Sequence, residues 1–354
     1  MLSKLLPVLV AAASLQAQEV KIAIVGLVHS HVWGHLGTML KSDKANLVGV
    51  AETVPELIDE AKKRGVASSL FFPDYRTMLD QVKPQIVWAF VENNRHLEII
   101  QACAPRKIHV MFEKPLASTY ADAVKIRALA KQHNIQVMTN YQMAWWPSNY
   151  EAKRLADSGE LGKVWRLRGV VGHGGPGGPT GLNKWFFTWL TDPEQNGAGS
   201  LMDFGCYNAL WSLWYLGKPE SVYAQVNQLR PETFPKVEDN STMVLHYKNG
   251  VGIFEGSWDL PRSFQDLEVF GLGGSVYMNR DGLKVRKGRD AEQAPALTPL
   301  PPERAEPVAY MVDHVKSSKA LDGLVAIDIN VDVMEIIEAA MKSVKTGEAV
   351  KLSR

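Results

Sequence analysis

The first residues of this chain that could do chemistry stand at a turn. Val20–Gly26 is an apolar, β-branched run that ends in glycine, and a helical stretch from about His31 to Lys41 follows it. A helix N-terminus at the end of a buried strand offers free N–H groups and a partial positive charge, the two features that hold a phosphate. Glu52 ends the next strand, 26 positions after Gly26. A carboxylate there accepts hydrogen bonds from adenosine ribose hydroxyls and repels a 2′-phosphate, which favours NAD over NADP. The glycine signature is eroded. Its positions read Gly26-Leu27-Val28-His29-Ser30-His31, so only the first glycine is present. Val28 puts a Cβ where backbone would approach a pyrophosphate, and His31 is bulky where close helix–strand packing is wanted. As a motif alone, the turn suits a dinucleotide or a plain strand-to-helix connection equally. His29, His31 and His35 also raise metal chemistry, since His31 and His35 are four apart and can share a helix face. No HExxH pattern or carboxylate partner accompanies them, so no metal site is expected. The histidines are read as shaping the turn or packing.

The elements that must position this turn alternate. Strands at Asn46–Ala51, Ile86–Phe90, Ile108–Phe112 and Ile135–Thr139 are separated by helices at Pro55 to Arg64, His96–Ala104 and Tyr120–His133. That alternation indicates βαβ units and a doubly wound parallel sheet over residues 18–141. The pattern changes afterwards. Val164–Val171, Val222–Gln228, Ser241–Tyr247, Gly252–Trp258, Gln265–Phe270 and Ser275–Met278 read as strands joined by short turns such as Lys248-Asn249-Gly250, giving an open, mostly antiparallel sheet with one polar face. Glu306–Lys319 and Asp328–Lys345 read as closing helices. Residues 142–354 therefore form an α+β substrate and oligomerisation domain whose last helices pack back toward the first domain.

Composition bounds the partners. Lysine plus arginine is 39 and aspartate plus glutamate is 38, so no positive excess exists to hold a nucleic-acid backbone. Met1 to Ala17, with Lys4, an apolar run Leu5–Ala13 and small residues up to Ala17, reads as a secretory signal peptide, too short to span a bilayer. The expected location is periplasmic or secreted. The two cysteines, Cys103 and Cys206, fall in different domains and read as buried thiols.

The segment Glu113-Lys114-Pro115 resembles the EKP motif of the Gfo/Idh/MocA oxidoreductases. Other features fall in matching order: Asn93 and His96, the run Trp189-Leu190-Thr191-Asp192-Pro193, the run Gly197 to Gly205 with Asp203, and Ser343 in the last helix. The sequence departs from the family in the two missing glycines, in Glu92 where a proline is usual, and in Leu190 where an arginine is usual. The resemblance implies a Rossmann domain followed by an α+β domain, and a bound NAD. It implies a dinucleotide held by the turn residues Gly26, Val28, His29, Ser30 and His31, and by Glu52, Asn93, His96, Glu113 and Trp189, with Glu113 on the carboxamide side of the nicotinamide. It also implies pairing of subunits through the C-terminal sheet. Lys114 takes the place of the lysine beside the reacting carbon, with Pro115 after a cis bond. Tyr207 stands where many members have histidine and resembles the glucose–fructose oxidoreductase-like branch, in which tyrosine is the acid/base. The expected mechanism has Tyr207 take a proton from a substrate hydroxyl while Lys114 stabilises the oxyanion, hydride passes to C4 of the nicotinamide, and Asp203 orients the substrate or Lys114. An unperturbed tyrosine titrates near 10, so Tyr207 needs Lys114 to act near neutrality.

Seven of the ten tryptophans fall between Trp145 and Trp214. Trp211 and Trp214 read as core on one helix. Trp145, Trp146, Trp185 and Trp189 fall in or near expected loops, where flat faces suit a sugar ring or simply pack. The loop Gly172–Gly181 reads as a rim over the site or as a surface connection. The expected activity is hydride transfer between a nicotinamide and a sugar or polyol. Two alternatives accompany it: a glycosidase that uses bound NAD for transient oxidation and elimination, and a non-catalytic sugar-binding protein on the same scaffold.

Overall fold

A computed structural model describes residues 19–353. The expected signal peptide, Met1 to Ala17, lies outside the described residues. The first sheet holds β1 (Val20–Val25), β2 (Ala45–Ala51), β3 (Phe71–Phe72), β4 (Ile86–Ala89), β5 (His109–Glu113) and β6 (Val137–Asn140). Their order is β3-β2-β1-β4-β5-β6 and every pair is parallel. Helices cover both faces, which is why β1, β4 and β6 are buried along nearly their whole length. Between β1 and β4 the chain order reverses, and this switch point opens a crevice at the carboxyl ends of the strands. The turn after β1, Glu52 after β2, Asn93 after β4, Glu113 and Lys114 at the end of β5, and Asn140 at the end of β6 all lie on that edge. Gly26 has φ 77°, and a Cβ on it would stand 2.5 Å from Val91 Cγ1 and 3.0 Å from the Phe90 carbonyl oxygen, so the turn tolerates no side chain there.

The second sheet has eight strands: β7 (Val164–Gly172), β8 (Ser221–Asn227), β9 (Asn240–Tyr247), β10 (Gly250–Ser257), β11 (Phe264–Gly271), β12 (Gly274–Asn279), β13 (Gly282–Lys287) and β14 (Val350–Lys351). The order is β13-β12-β11-β7-β10-β9-β8-β14, antiparallel except for β7 against β10. Inward residues such as Leu167, Met243, Leu245 and Phe254 are buried beneath the helix Gly205–Leu216, and β8 is covered by the helix Ile327–Thr346. The latter helix also reaches the first sheet's helices, with Lys131 and Arg127 against Asp328. The short strands β3 and β14, the edge strand β13 and the helix Tyr75–Val82 were not expected from the sequence. That helix has a legible signal: Asp74 caps it by accepting from the Thr77 N–H at 2.7 Å. Cys103 and Cys206 are free and buried. Among the described residues, no helix is long and apolar enough to cross a membrane.

Candidate active site

A cavity of about 600 Å³ opens where the crevice meets the second sheet, and Lys114, Asp203 and Tyr207 all line it. Three segments deliver them. β5 ends at Glu113 and hands over Lys114 through a cis Lys114–Pro115 bond. Asp203 closes a one-turn helix, Ser200–Asp203, whose start is fixed by Glu238: its carboxylate oxygen Oε1 accepts from the Gly199 and Leu201 N–H groups, each at 2.9 Å. Gly199 is required there, because a Cβ would lie 1.9 Å from the Glu238 carbonyl oxygen. Tyr207 sits in the first turn of the helix Gly205–Leu216.

Lys114 and Asp203 form a buried ion pair, each only 6% exposed. The Lys114 Nζ also donates to the Asp203 carbonyl oxygen at 3.1 Å, and the indole N–H of Trp258 donates to Asp203 Oδ2 at 2.9 Å. Burial pulls the Lys114 ammonium toward neutrality, but the Asp203 carboxylate overrides it, so its pKa is raised. Burial likewise favours a neutral Asp203, and Lys114 overrides that too, leaving its pKa low. Both partners therefore stay charged at neutral pH. Lys114 Nζ stands 5.2 Å above the centre of the Tyr207 ring. It meets the ring face and not the hydroxyl, and burial still raises the Tyr207 pKa despite it. The Lys114 ammonium is paired with Asp203 and lies over the Tyr207 ring, with no hydrogen bond to the phenol oxygen among the described residues.

The turn is built inward. The Leu27 N–H donates to Glu52 Oε2 at 2.8 Å, and the N–H groups of Thr53 and Val54 donate to Oε1 at 2.7 and 2.9 Å. Three of the roughly four acceptor positions of that carboxylate are used, which leaves one for a ribose hydroxyl. His29 is buried between Phe186 and Trp189, with ring centres 5.1 and 5.3 Å away, and its pKa lies well below the usual value because of burial and the neighbouring His31 and Lys114. Ser30 and His31 reach the cavity. Val28 is half-buried and its carbonyl accepts from the Trp189 indole at 3.4 Å.

Several expected contacts are redirected. Asn93 donates to Asn196 Oδ1 at 2.7 Å and so ties the first sheet to the second domain. His96 is buried on Phe112, with Nδ1 3.1 Å from the Leu116 carbonyl oxygen, and burial lowers its pKa to about 4. Yet Asn93 Oδ1 and His96 Nε2 are buried with no hydrogen-bond partner among the described residues. Buried orphans of this kind are completed by a ligand or a water. Trp185 and Trp189 were expected near loops, but they lie on the helix Asn183–Leu190. Trp185 and Lys184 reach Glu56 at 3.2 and 3.0 Å, so this helix lies across the start of the helix after β2. Among the described residues, no tryptophan lines the Lys114 cavity; its aromatic walls include Phe186, Phe204, Phe264 and Tyr207. Trp145 and Trp146 line a neighbouring cavity of about 700 Å³ that shares Ser30, His31, Gln142 and Arg280 with the first.

The histidines do have a carboxylate partner, contrary to expectation. Glu113, placed at the nicotinamide by resemblance, is 1% exposed and turns onto the turn instead. Its Oε2 is 2.9 Å from His31 Nδ1, its Oε1 is 3.7 Å from His35 Nε2, and Asn140 Nδ2 donates to Oε1 at 2.8 Å. Burial would raise its pKa, but the bond and charge of His31, with His35 and Asn140, hold it below the usual range. Three site residues escaped the sequence: Glu238, Trp258 and His173. His173 lines the cavity from the Gly172–Gly181 loop, and burial lowers its pKa. The loop forms a wall there, pinned by Asn183 Nδ2 donating to the Pro176 and Gly178 carbonyl oxygens at 2.9 Å each. A histidine following a strand's last glycine was the available signal for His173; nothing local marked the other two.

Residues 20–141 match the family model described as an oxidoreductase family with an NAD-binding Rossmann fold, and residues 150–277 match the GFO/IDH/MocA C-terminal domain. The chain is 27% identical to the D-xylose 1-dehydrogenase (NADP(+)) 2 of Haloferax volcanii over 83% of this chain and 90% of that one. It is 27% identical to the levoglucosan dehydrogenase of Pseudarthrobacter phenanthrenivorans over 68% and 67%. Its fold superposes on the aldose-aldose oxidoreductase of Caulobacter crescentus, crystallised with glycerol, at a TM-score of 0.80 and 22% identity, covering 95% of this chain and 100% of that one.

Proposed function

The chain belongs to the Gfo/Idh/MocA oxidoreductase family, and on that premise we propose that it is an NAD-dependent dehydrogenase that interconverts a hydroxyl and a carbonyl on a sugar or polyol. The relatives named for sugars support the substrate class. The observation that carries the reading is the buried Lys114–Asp203 pair facing a cavity with Tyr207 at its wall.

The crevice fits a dinucleotide. The turn after β1 leads into the helix Val32–Leu40 with no hydrogen bond to the Val28 or Ser30 N–H among the described residues, Glu52 keeps one acceptor position, and Asn93 and His96 present the orphaned atoms described above. Gly26, Ser30 and Glu52 would hold its adenosine and pyrophosphate parts. When bound, NAD supplies the hydride acceptor. The remaining work falls to the chain. Lys114, fixed by Asp203 and held charged, is aimed at an oxygen that gains negative charge, and a preorganised cation in a dry site is worth more there than in water. Trp258 holds the far oxygen of Asp203, so the pair cannot rotate away. Tyr207, kept protonated by burial, serves as the second donor to that oxygen. His173, kept neutral by burial in the same cavity, is the group suited to accept the hydroxyl proton. This division replaces the tyrosine base of the sequence reading. Gln142, Asn183 and Gln265 supply neutral polar contacts to substrate hydroxyls, and Phe186 and Phe204 supply flat apolar faces.

Two further parts of the reading rest on pattern. The composition of Met1–Ala17 supports export. On the second sheet, partly exposed Val244 and Ile253 sit beside Thr242 and Glu255, a half-apolar face that supports subunit pairing. The functional test is a panel of aldoses and polyols with NAD⁺, read as NADH formation. At least one is expected to give turnover that disappears in Lys114→Met. Release of the alcohol from aryl glycosides, with no net NADH, would favour the transient-oxidation glycosidase. No reaction with either set would leave the non-catalytic alternative.

A further inference from the structure

The mechanism above leaves His29, His31 and Glu113 without a chemical task, although they converge on the edge of the cavity. We propose that these three residues form a binding site for a divalent transition-metal ion, of the zinc or manganese class, beside Lys114. One donor atom from each lies within 4.8 Å of the donors of the other two. His31 Nδ1 and Glu113 Oε2 are already 2.9 Å apart. Neighbouring ligands of a single ion bound at about 2.0–2.2 Å stand roughly 3–3.5 Å from each other, so small rotations close the set.

The donor chemistry is suited to the ion. Two imidazoles and a carboxylate make up a set used by catalytic zinc, which keeps a further position open. A second layer is in place. Asn140 Nδ2 donates to Glu113 Oε1 at 2.8 Å, and Asn140 Oδ1 in turn accepts from the Trp145 indole N–H at 2.9 Å. His35 Nε2 stands 3.7 Å from the same Glu113 oxygen. Outer partners of this kind orient ligating groups and tune the ion. The Lys114 ammonium, which lines the same cavity as His31, is paired with Asp203.

The site also accounts for the turn. Histidines stand at 29 and 31 in a segment where a phosphate-binding turn prefers small residues. Side-chain ligation of an ion gives those positions a use that phosphate binding by bare backbone does not. His31 lines both cavities, so an ion held there would face them with its open position and polarise a hydroxyl or carbonyl oxygen of a substrate next to Lys114. This inference does not depend on the dinucleotide: the ligands all come from the chain.

The test is isothermal titration of chelator-treated, full-length protein with zinc chloride and with manganese chloride, in the absence of nucleotide. One ion per chain is expected for at least one of the two. Glu113→Gln, which keeps the size of the side chain, and His31→Ala should each weaken binding at least about 100-fold, beyond the 10–100-fold typical of outer-layer changes. His246→Ala, at an exposed site on the second sheet, should bind as the unaltered protein does. The cobalt(II) form of the unaltered protein gives a readout that no variant's folding affects, a visible absorption characteristic of nitrogen and oxygen ligation at low coordination number. No saturable binding of either ion, or unchanged affinity in both Glu113→Gln and His31→Ala, would overturn the proposal.

Discussion

Lys114→Met is expected to lower kcat/KM by at least about 10³-fold and to destabilise the fold by about 3–5 kcal/mol. Both effects come from one arrangement. Asp203 is 6% exposed, and its charge is balanced by Lys114 and by a single indole N–H from Trp258. Without the ammonium, a carboxylate is left charged in a dry place or must take up a proton, and either outcome costs the folded state. The activity loss has a separate origin, since the same ammonium is the fixed positive charge facing the substrate oxygen. The double change Lys114→Met with Asp203→Leu separates the two. It removes the unpaired charge and should recover most of the stability, as buried ion pairs replaced by apolar groups commonly do. Activity should stay lost. Urea unfolding and turnover on the same preparations check both statements. A single Lys114→Met variant as stable and as active as the parent would remove the pair from the account.

Tyr207→Phe should lower kcat by about 10²–10³-fold, the usual loss for one donor to a developing oxyanion, with a much smaller change in KM. Its ring is packed edge-on against Tyr141 at 5.1 Å and beneath Lys114, and phenylalanine keeps both contacts. Stability should therefore change little. The pH profile adds a sign. Burial raises the Tyr207 pKa above its ordinary value near 10. As a proton-bearing donor, Tyr207 is competent below that raised value, so carbonyl reduction should not fall between about pH 8 and pH 10 through loss of its proton. A base role for Tyr207 would give the opposite slope for hydroxyl oxidation, rising as the phenol ionises. Undiminished kcat in Tyr207→Phe would contradict both roles.

The sequence made the first sheet legible because its buried strands are short β-branched runs bounded by glycine, charge or proline, and because a parallel sheet between helices demands such runs. The second sheet was legible strand by strand, since one face is polar and the alternation survives. β3 escaped because two phenylalanines carry no periodicity, and β13 because its outward residues Lys284 and Arg286 give an edge strand the look of a charged loop. The site divides in the same way. Lys114 directly follows β5 and Tyr207 opens the helix Gly205–Leu216, with Asp203 in the single turn before it, and the structure gathers them at one cavity. The partners of Glu113 and Asn93 were not legible. Glu113 meets His31 across 82 positions of sequence, and Asn93 meets Asn196 across 103. Glu113 and His31 meet at the carboxyl edge of the first sheet, where β1 and β5 end near each other, and Asn93 and Asn196 meet where the two domains dock; no local pattern encodes either pairing. The tryptophans misled for a related reason. A flat apolar ring serves a core and a sugar site equally well, and here Trp189 closes the domain junction while phenylalanines face the cavity.

The account stands on a dinucleotide bound across the switch point between β1 and β4, despite the missing glycines. Calorimetric titration of the folded protein with NAD⁺ and with NADP⁺ tests this most directly. The predicted result is one site per chain for NAD⁺ with weaker binding of NADP⁺, because the Glu52 carboxylate opposes a 2′-phosphate. Absence of binding by both nucleotides at millimolar concentration would contradict it.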